Sequence, residues 1–158
     1  MRIALQILLL GTAAIAATAA TTAAQDTHKI VSPGEIKWSS GPPSLLPGAE
    51  ATVLFGDPSR EGVFAMRLKL PKGYRIAPHT HPRPEIVTVM SGNFRLGMGE
   101  TADPSKAKDL PAGSFFALQP GMAHFAFIDE DTVIQLNSVG PWAITYVNPN
   151  DDPRKKSQ

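Results

Sequence analysis

The amino-acid sequence predicts an all-β domain, a sandwich or a barrel, and three observations carry that expectation. Short runs rich in β-branched and aromatic residues recur along the chain, separated by Gly, Pro, Asn and Asp at even intervals. No segment sustains a helical period of apolar residues. There is no internal repeat, and a length of 158 residues suits one domain with enough chain for a core.

Taken in order, residues 1–24 are expected to lie outside that domain. Met1-Arg2 makes a short positive start, residues 3–10 are apolar, and an Ala/Thr-rich tract follows. Small residues at Thr22 and Ala24 suit a signal-peptidase cut after Ala24, with Ala17-Thr18-Ala19 as a second candidate. A membrane anchor fits less well, because the apolar run is short for a spanning helix. Residues 25–48 read as an extended arm punctuated by Pro-Gly and Pro-Pro, with Trp38, Leu45 and Leu46 covering an open barrel end or a partner subunit. Residues 49–150 form the barrel. In its second strand Phe64, Met66, Leu68 and Leu70 alternate with Val63, Ala65, Arg67 and Lys69, the period of a half-buried strand. IVTVM after Glu85, a hairpin at Ser91-Gly92-Asn93 and FRLGMG follow. GETADPSKAKD reads as a surface loop, SFFAL, AHFAFI and TVIQLN as strands, and PWAITYVNP as the closing strand. Residues 151–158 are a polar tail expected to fray at its end.

Charge and cysteine content narrow the function classes. The chain has 15 Lys and Arg against 14 Asp and Glu. Loss of Arg2 with the leader leaves 14 basic residues (15 − 1) against the same 14 acidic ones. A balance near zero gives no electrostatic case for nucleic acid, or for a membrane once the leader is removed. There is no cysteine, hence no disulfide framework and no thiolate metal site.

The informative stretch is residues 73–92, GYRIAPHTHPRPEIVTVMSG. His79 and His81 stand two apart, so on an extended backbone both side chains leave by one face. Glu85 shares that face if Pro82-Arg83-Pro84 leaves the phase unchanged. Two imidazoles and a carboxylate on one side of a strand supply donors for a divalent transition metal. Pro78, Pro82 and Pro84 stiffen the backbone around them and point to a strand edge or a bend.

Gly73, His79, His81, Glu85 and Gly92 together resemble the first motif of the cupins, spacing for spacing. LPAGSFFALQPGMAHFAFI resembles the second, with Gly113, Pro120-Gly121 and His124 in place. It departs from the pattern in the proline directly before Gly121 and in Ile128, where the family has asparagine. The resemblance covers roughly residues 73–128. It implies a double-stranded β-helix, a jelly-roll-like barrel, in which His124 completes a metal set with His79, His81 and Glu85. Such a set suits Fe, Mn, Ni, Cu, Co or Zn. A barrel that keeps these residues for hydrogen bonding alone is the competing expectation, and His28 is not expected to be a ligand. Phe115, Phe116, Phe125, Phe127, Met90, Met98 and Met122 are expected mostly in the core. Arg67, Gln119, Gln135, Asn137 and Tyr146 are the polar candidates to orient a small-molecule ligand.

In that family such sites support dioxygenases, isomerases and lyases acting on small organic acids, thiols or phenols. A non-catalytic metal- or ligand-binding module of the cell envelope is the alternative. Export to the periplasm or the medium and a homodimer, through paired edges or swapped arms, complete the expectations.

Overall fold

The computed structural model describes residues 28–155. The predicted leader, residues 25–27 of the arm and the last three residues of the tail lie outside that range. The alternating runs become strands: β1 (Ser39–Ser40), β2 (Glu50–Phe55), β3 (Gly62–Leu70), β4 (Arg75–Thr80), β5 (Glu85–Ser91), β6 (Asn93–Met98), β7 (Lys108–Pro111), β8 (Phe115–Leu118), β9 (His124–Ile128), β10 (Thr132–Gly140) and β11 (Thr145–Tyr146). They form two antiparallel sheets, ordered β1-β2-β3-β10-β5-β8 and β11-β4-β9-β6-β7.

Period-two alternation decides what lies between the sheets. Phe64, Met66, Leu68 and Leu70 of β3 are buried, as are Ile134 and Leu136 of β10 and Val87 and Val89 of β5. From the opposite sheet come Ile76, Phe94, Ala126 and Ile128. Each such aliphatic side chain taken wholly out of water stabilises the fold by about 1.5–3 kcal/mol. Gly92 closes the β5–β6 hairpin at φ +74°, and a Cβ there would collide with the Asp131 carbonyl, so glycine is required.

Several expectations change. Met90 and Phe115 are exposed because their strands turn them to the outer face, Met98 because it is the last residue of β6, and Met122 because it lies before β9 on no strand; composition marks a residue as apolar without saying where it sits. The loop 99–109 holds a 3-10 turn at Pro104–Lys106 and runs into β7, an edge strand with Leu110 alone buried. The closing strand shrinks to β11, two residues paired with Thr80 and His79. β4 lies inside its sheet, yet the register slips between Ile76 and His79, so Pro78 sits at an irregularity where no ladder donor is needed. In the tail, Pro153 is buried and Arg154 donates to the Ile144 carbonyl, which ties residues 151–155 to the barrel.

The arm belongs to this core more closely than a cap would. β1 pairs with β2, and Leu45 is buried within the main apolar cluster. Tyr74 and Tyr146, buried on the barrel, donate their hydroxyls to the carbonyls of Leu46 (2.5 Å) and Ser44 (2.6 Å). Burial raises the Tyr74 hydroxyl well above its ordinary pKa and pushes Tyr146 to about 12, so both remain donors at any physiological pH.

Candidate metal centre

The four predicted side chains do come together, but not on one strand face. His79 lies on β4 and His81 just beyond its end, whereas Glu85 opens β5 in the opposite sheet. Pro82-Arg83-Pro84 therefore carries the chain between sheets, and the carboxylate meets the imidazoles across the barrel. His124 opens β9 directly opposite His79 in the ladder. The Pro120-Gly121 turn holds the two motifs together, since the Gly121 N–H donates to the His81 carbonyl (2.9 Å). Gly121 adopts φ +79° there, which glycine reaches without strain.

All four side chains are buried. The imidazole nitrogens of His79, His81 and His124 approach within 4.8 Å of one another. Each Nδ1 faces a backbone carbonyl: His79 to Ala77 (2.7 Å), His81 to Ala143 (2.8 Å) and His124 to Met122 (3.0 Å). A carbonyl can only accept, so each Nδ1 carries a proton, and in the neutral ring each Nε2 presents a lone pair. Those lone pairs face a carboxylate, with His124 Nε2 3.1 Å from Glu85 Oε2 and His81 Nε2 3.7 Å from Oε1. Acceptor thus opposes acceptor in a buried site, and among the described residues His81 Nε2 and Glu85 Oε2 have no hydrogen-bond partner. A proton or a cation between them relieves the opposition.

Burial favours the cation. It is the main reason the His79 imidazole is depressed to about 2, helped by the neighbouring His124 and His81. Burial also lowers His81, against a smaller upward pull from Glu85. Neutral imidazoles with their second nitrogens fixed by carbonyls are the form in which histidine binds metal. Three nitrogens and a carboxylate suit a divalent transition metal. Ile128, the departure from the second motif, points into the core away from this cluster and takes no part. His28 is exposed and not a member.

The cluster lies on the wall of a cavity of about 440 Å³ whose other walls include Met66, Leu68, Phe94, Ile134, Leu136 and Ile144. Arg67, Gln135, Asn137 and Gln119 do not line it, and Arg67 donates to Gln135 instead (3.1 Å). Tyr146 stands against the His79 ring at 6.0 Å but spends its hydroxyl on the arm. Trp142, which the sequence does not single out, stacks on His81 with ring centroids 4.0 Å apart. With the Ala143 carbonyl it fixes the plane of that imidazole. Only the PW pair before a short strand marks it, and that is no signal of a stacking role.

The family described as "Domain of unknown function (DUF4437)" matches residues 13–145. Germin-like protein 3-1 of Oryza sativa subsp. japonica is 32% identical over 89 residues, which is 56% of this chain and only 36% of that protein. Among solved structures, the polyketide cyclase RemF from Streptomyces resistomycificus superposes with a TM-score of 0.65 at 14% identity, over 84% of this chain and 94% of that one. An acetylacetone dioxygenase from Acinetobacter johnsonii does so at 0.61 and 15%, over 84% and 85%. At such identities the likeness is one of fold, and the fold is the double-stranded β-helix of the cupins.

Proposed function

The chain belongs to the DUF4437 family and has the cupin barrel, and from that premise we propose a small-molecule enzyme built on one divalent transition metal held by His79, His81, His124 and Glu85. One observation carries this reading: three buried imidazoles, their Nδ1 atoms fixed by carbonyls behind them, turn Nε2 toward a buried carboxylate whose Oε2 has no hydrogen-bond partner among the described residues. A bound metal would supply Lewis-acid polarisation of a chelated oxygen, or a site for activating dioxygen. The chain's part is to hold the imidazoles neutral and oriented, to offset charge through Glu85, and to keep bulk water from the apolar cavity. The dioxygenase with the same fold lends support.

Elemental analysis tests this. About one metal ion per chain is expected in the wild type and in His28→Ala, and little in His79→Ala or His124→Ala. Equal metal in all four proteins would refute the assignment.

A binding module of the cell envelope is the second reading. It is favoured by the cavity wall, which among the described residues offers no ionisable side chain beyond the cluster and Arg154. Dioxygen uptake with a panel of phenols and 1,3-diketones separates catalyst from binder. We also propose that residues 1–24 are a cleaved export signal. Supporting it are the positive start, the apolar run and the small residues before Gln25. Sequencing the mature N-terminus should read from Gln25, and an intact Met1 in exported protein would overturn it.

A further inference from the structure

Resting on the metal reading above, we propose that the cavity takes a neutral, largely apolar molecule with its oxygens at one end, such as a phenol or an enol, and rejects acids whose carboxylate lies away from the metal. The cavity of about 440 Å³ has the share of roughly 15 waters at ~30 Å³ each. A ligand the size of a substituted benzene ring fits it with room to spare. Polar groups are unevenly placed around that space. The histidines and Glu85 form one pole, and Met66, Leu68, Phe94, Ile134 and Leu136 face the remainder.

The second pole of an organic acid would need a cation. Among the described residues, Arg154 is the single basic side chain other than histidine on the wall, and its charge is committed. Its Nε and Nη2 donate to the two oxygens of Asp152 (2.8 and 2.7 Å), and Nη2 also donates to the Ile144 carbonyl (3.1 Å). The other polar residues on the wall, Ser39, Ser40, Ser44, Thr52 and Ser59, are uncharged and cannot neutralise an anion, and the hydroxyls of Ser39 and Ser59 already donate to the Ala51 carbonyl and to Asp57. A carboxylate pressed against this wall loses water and gains no counter-ion, which is heavily unfavourable.

The test is calorimetric titration of the metal-loaded protein, its metal content measured on the same sample, with 4-methylcatechol and 3,4-dihydroxybenzoate. The two share a chelating diol and differ at the far end. The methyl compound should bind at least about tenfold tighter, a gap of ~1.4 kcal/mol. Val53→Lys places a cation on the wall at a half-exposed position, where folding tolerates it, and should narrow that gap by improving the acid. Equal affinities, tighter binding of the acid, binding of neither probe, or no response to Val53→Lys would overturn the proposal. If the protein holds no metal, the metal reading fails. The pair is then compared on the metal-free protein, where equal affinities or a preference for the acid would overturn the neutral-wall proposal independently.

Discussion

His79 shows how much a single proton can decide. Its folded imidazole titrates at about 2, whereas an unperturbed one does so near ~6.5. Above that ordinary value both folded and unfolded chains are neutral there, and the group has no effect on stability. Below it the unfolded chain binds a proton that the folded metal-free protein refuses, so stability falls as pH falls. The loss continues until the folded imidazole itself titrates. At pH 5 this amounts to about 2 kcal/mol for one fully depressed histidine. His81 is depressed too and adds in the same direction. Urea melts of metal-free protein between pH 7.5 and 5 should show that slope, flattened in His79→Asn; a flat wild-type profile would contradict it. Glu85→Gln keeps the shape of the side chain, removes its charge and offers an amide donor to the facing imidazoles, so it should weaken metal binding at least about tenfold while raising the metal-free melt. His79, His81 and Glu85 were legible from their spacing, and His124 only through the resemblance of the second motif. Their readiness to bind was not, because the groups that fix the tautomers are carbonyls of Ala77, Met122 and Ala143, and a backbone carbonyl leaves no mark on the sequence.

Among the elements, the arm and β7 departed furthest from expectation, for opposite reasons. The arm reads as punctuation, yet Tyr74 and Tyr146, distant in sequence, hold the carbonyls of Leu46 and Ser44 over the cavity. Tyr74→Phe and Tyr146→Phe should each cost about 1 kcal/mol and speed amide exchange across residues 39–47. Unchanged exchange in the double variant would show the arm to be held by Leu45 and β1 alone. β7 reads as polar loop because an edge strand needs only one apolar side chain, here Leu110. β3 was the easiest to read, since four alternating apolar positions all fall on one buried face. Leu70→Ala, at a wholly buried position, should destabilise by about 2–5 kcal/mol.

For the molecule as a whole, period two and turn chemistry sufficed to predict an all-β domain, but the choice of the double-stranded β-helix came from the two motifs. Short alternating strands suit a sandwich and a barrel alike, and strand order is set by pairings between distant residues, such as β10 with β3 and β5. We propose a homodimer, supported by exposed Phe55, Val63, Ile86 and Val139, which lie around one outer groove of the six-stranded sheet. Light scattering should give twice the chain mass, and a monomer at high concentration would exclude it. The central claim is that three imidazoles and Glu85 hold one metal ion. Anomalous diffraction from crystals of the metal-loaded protein measures this most directly. The expected result is one strong peak within about 2.0–2.2 Å of Nε2 of His79, His81 and His124 and of a Glu85 oxygen. A protein that holds one metal per chain with its anomalous peak anywhere else would contradict the claim.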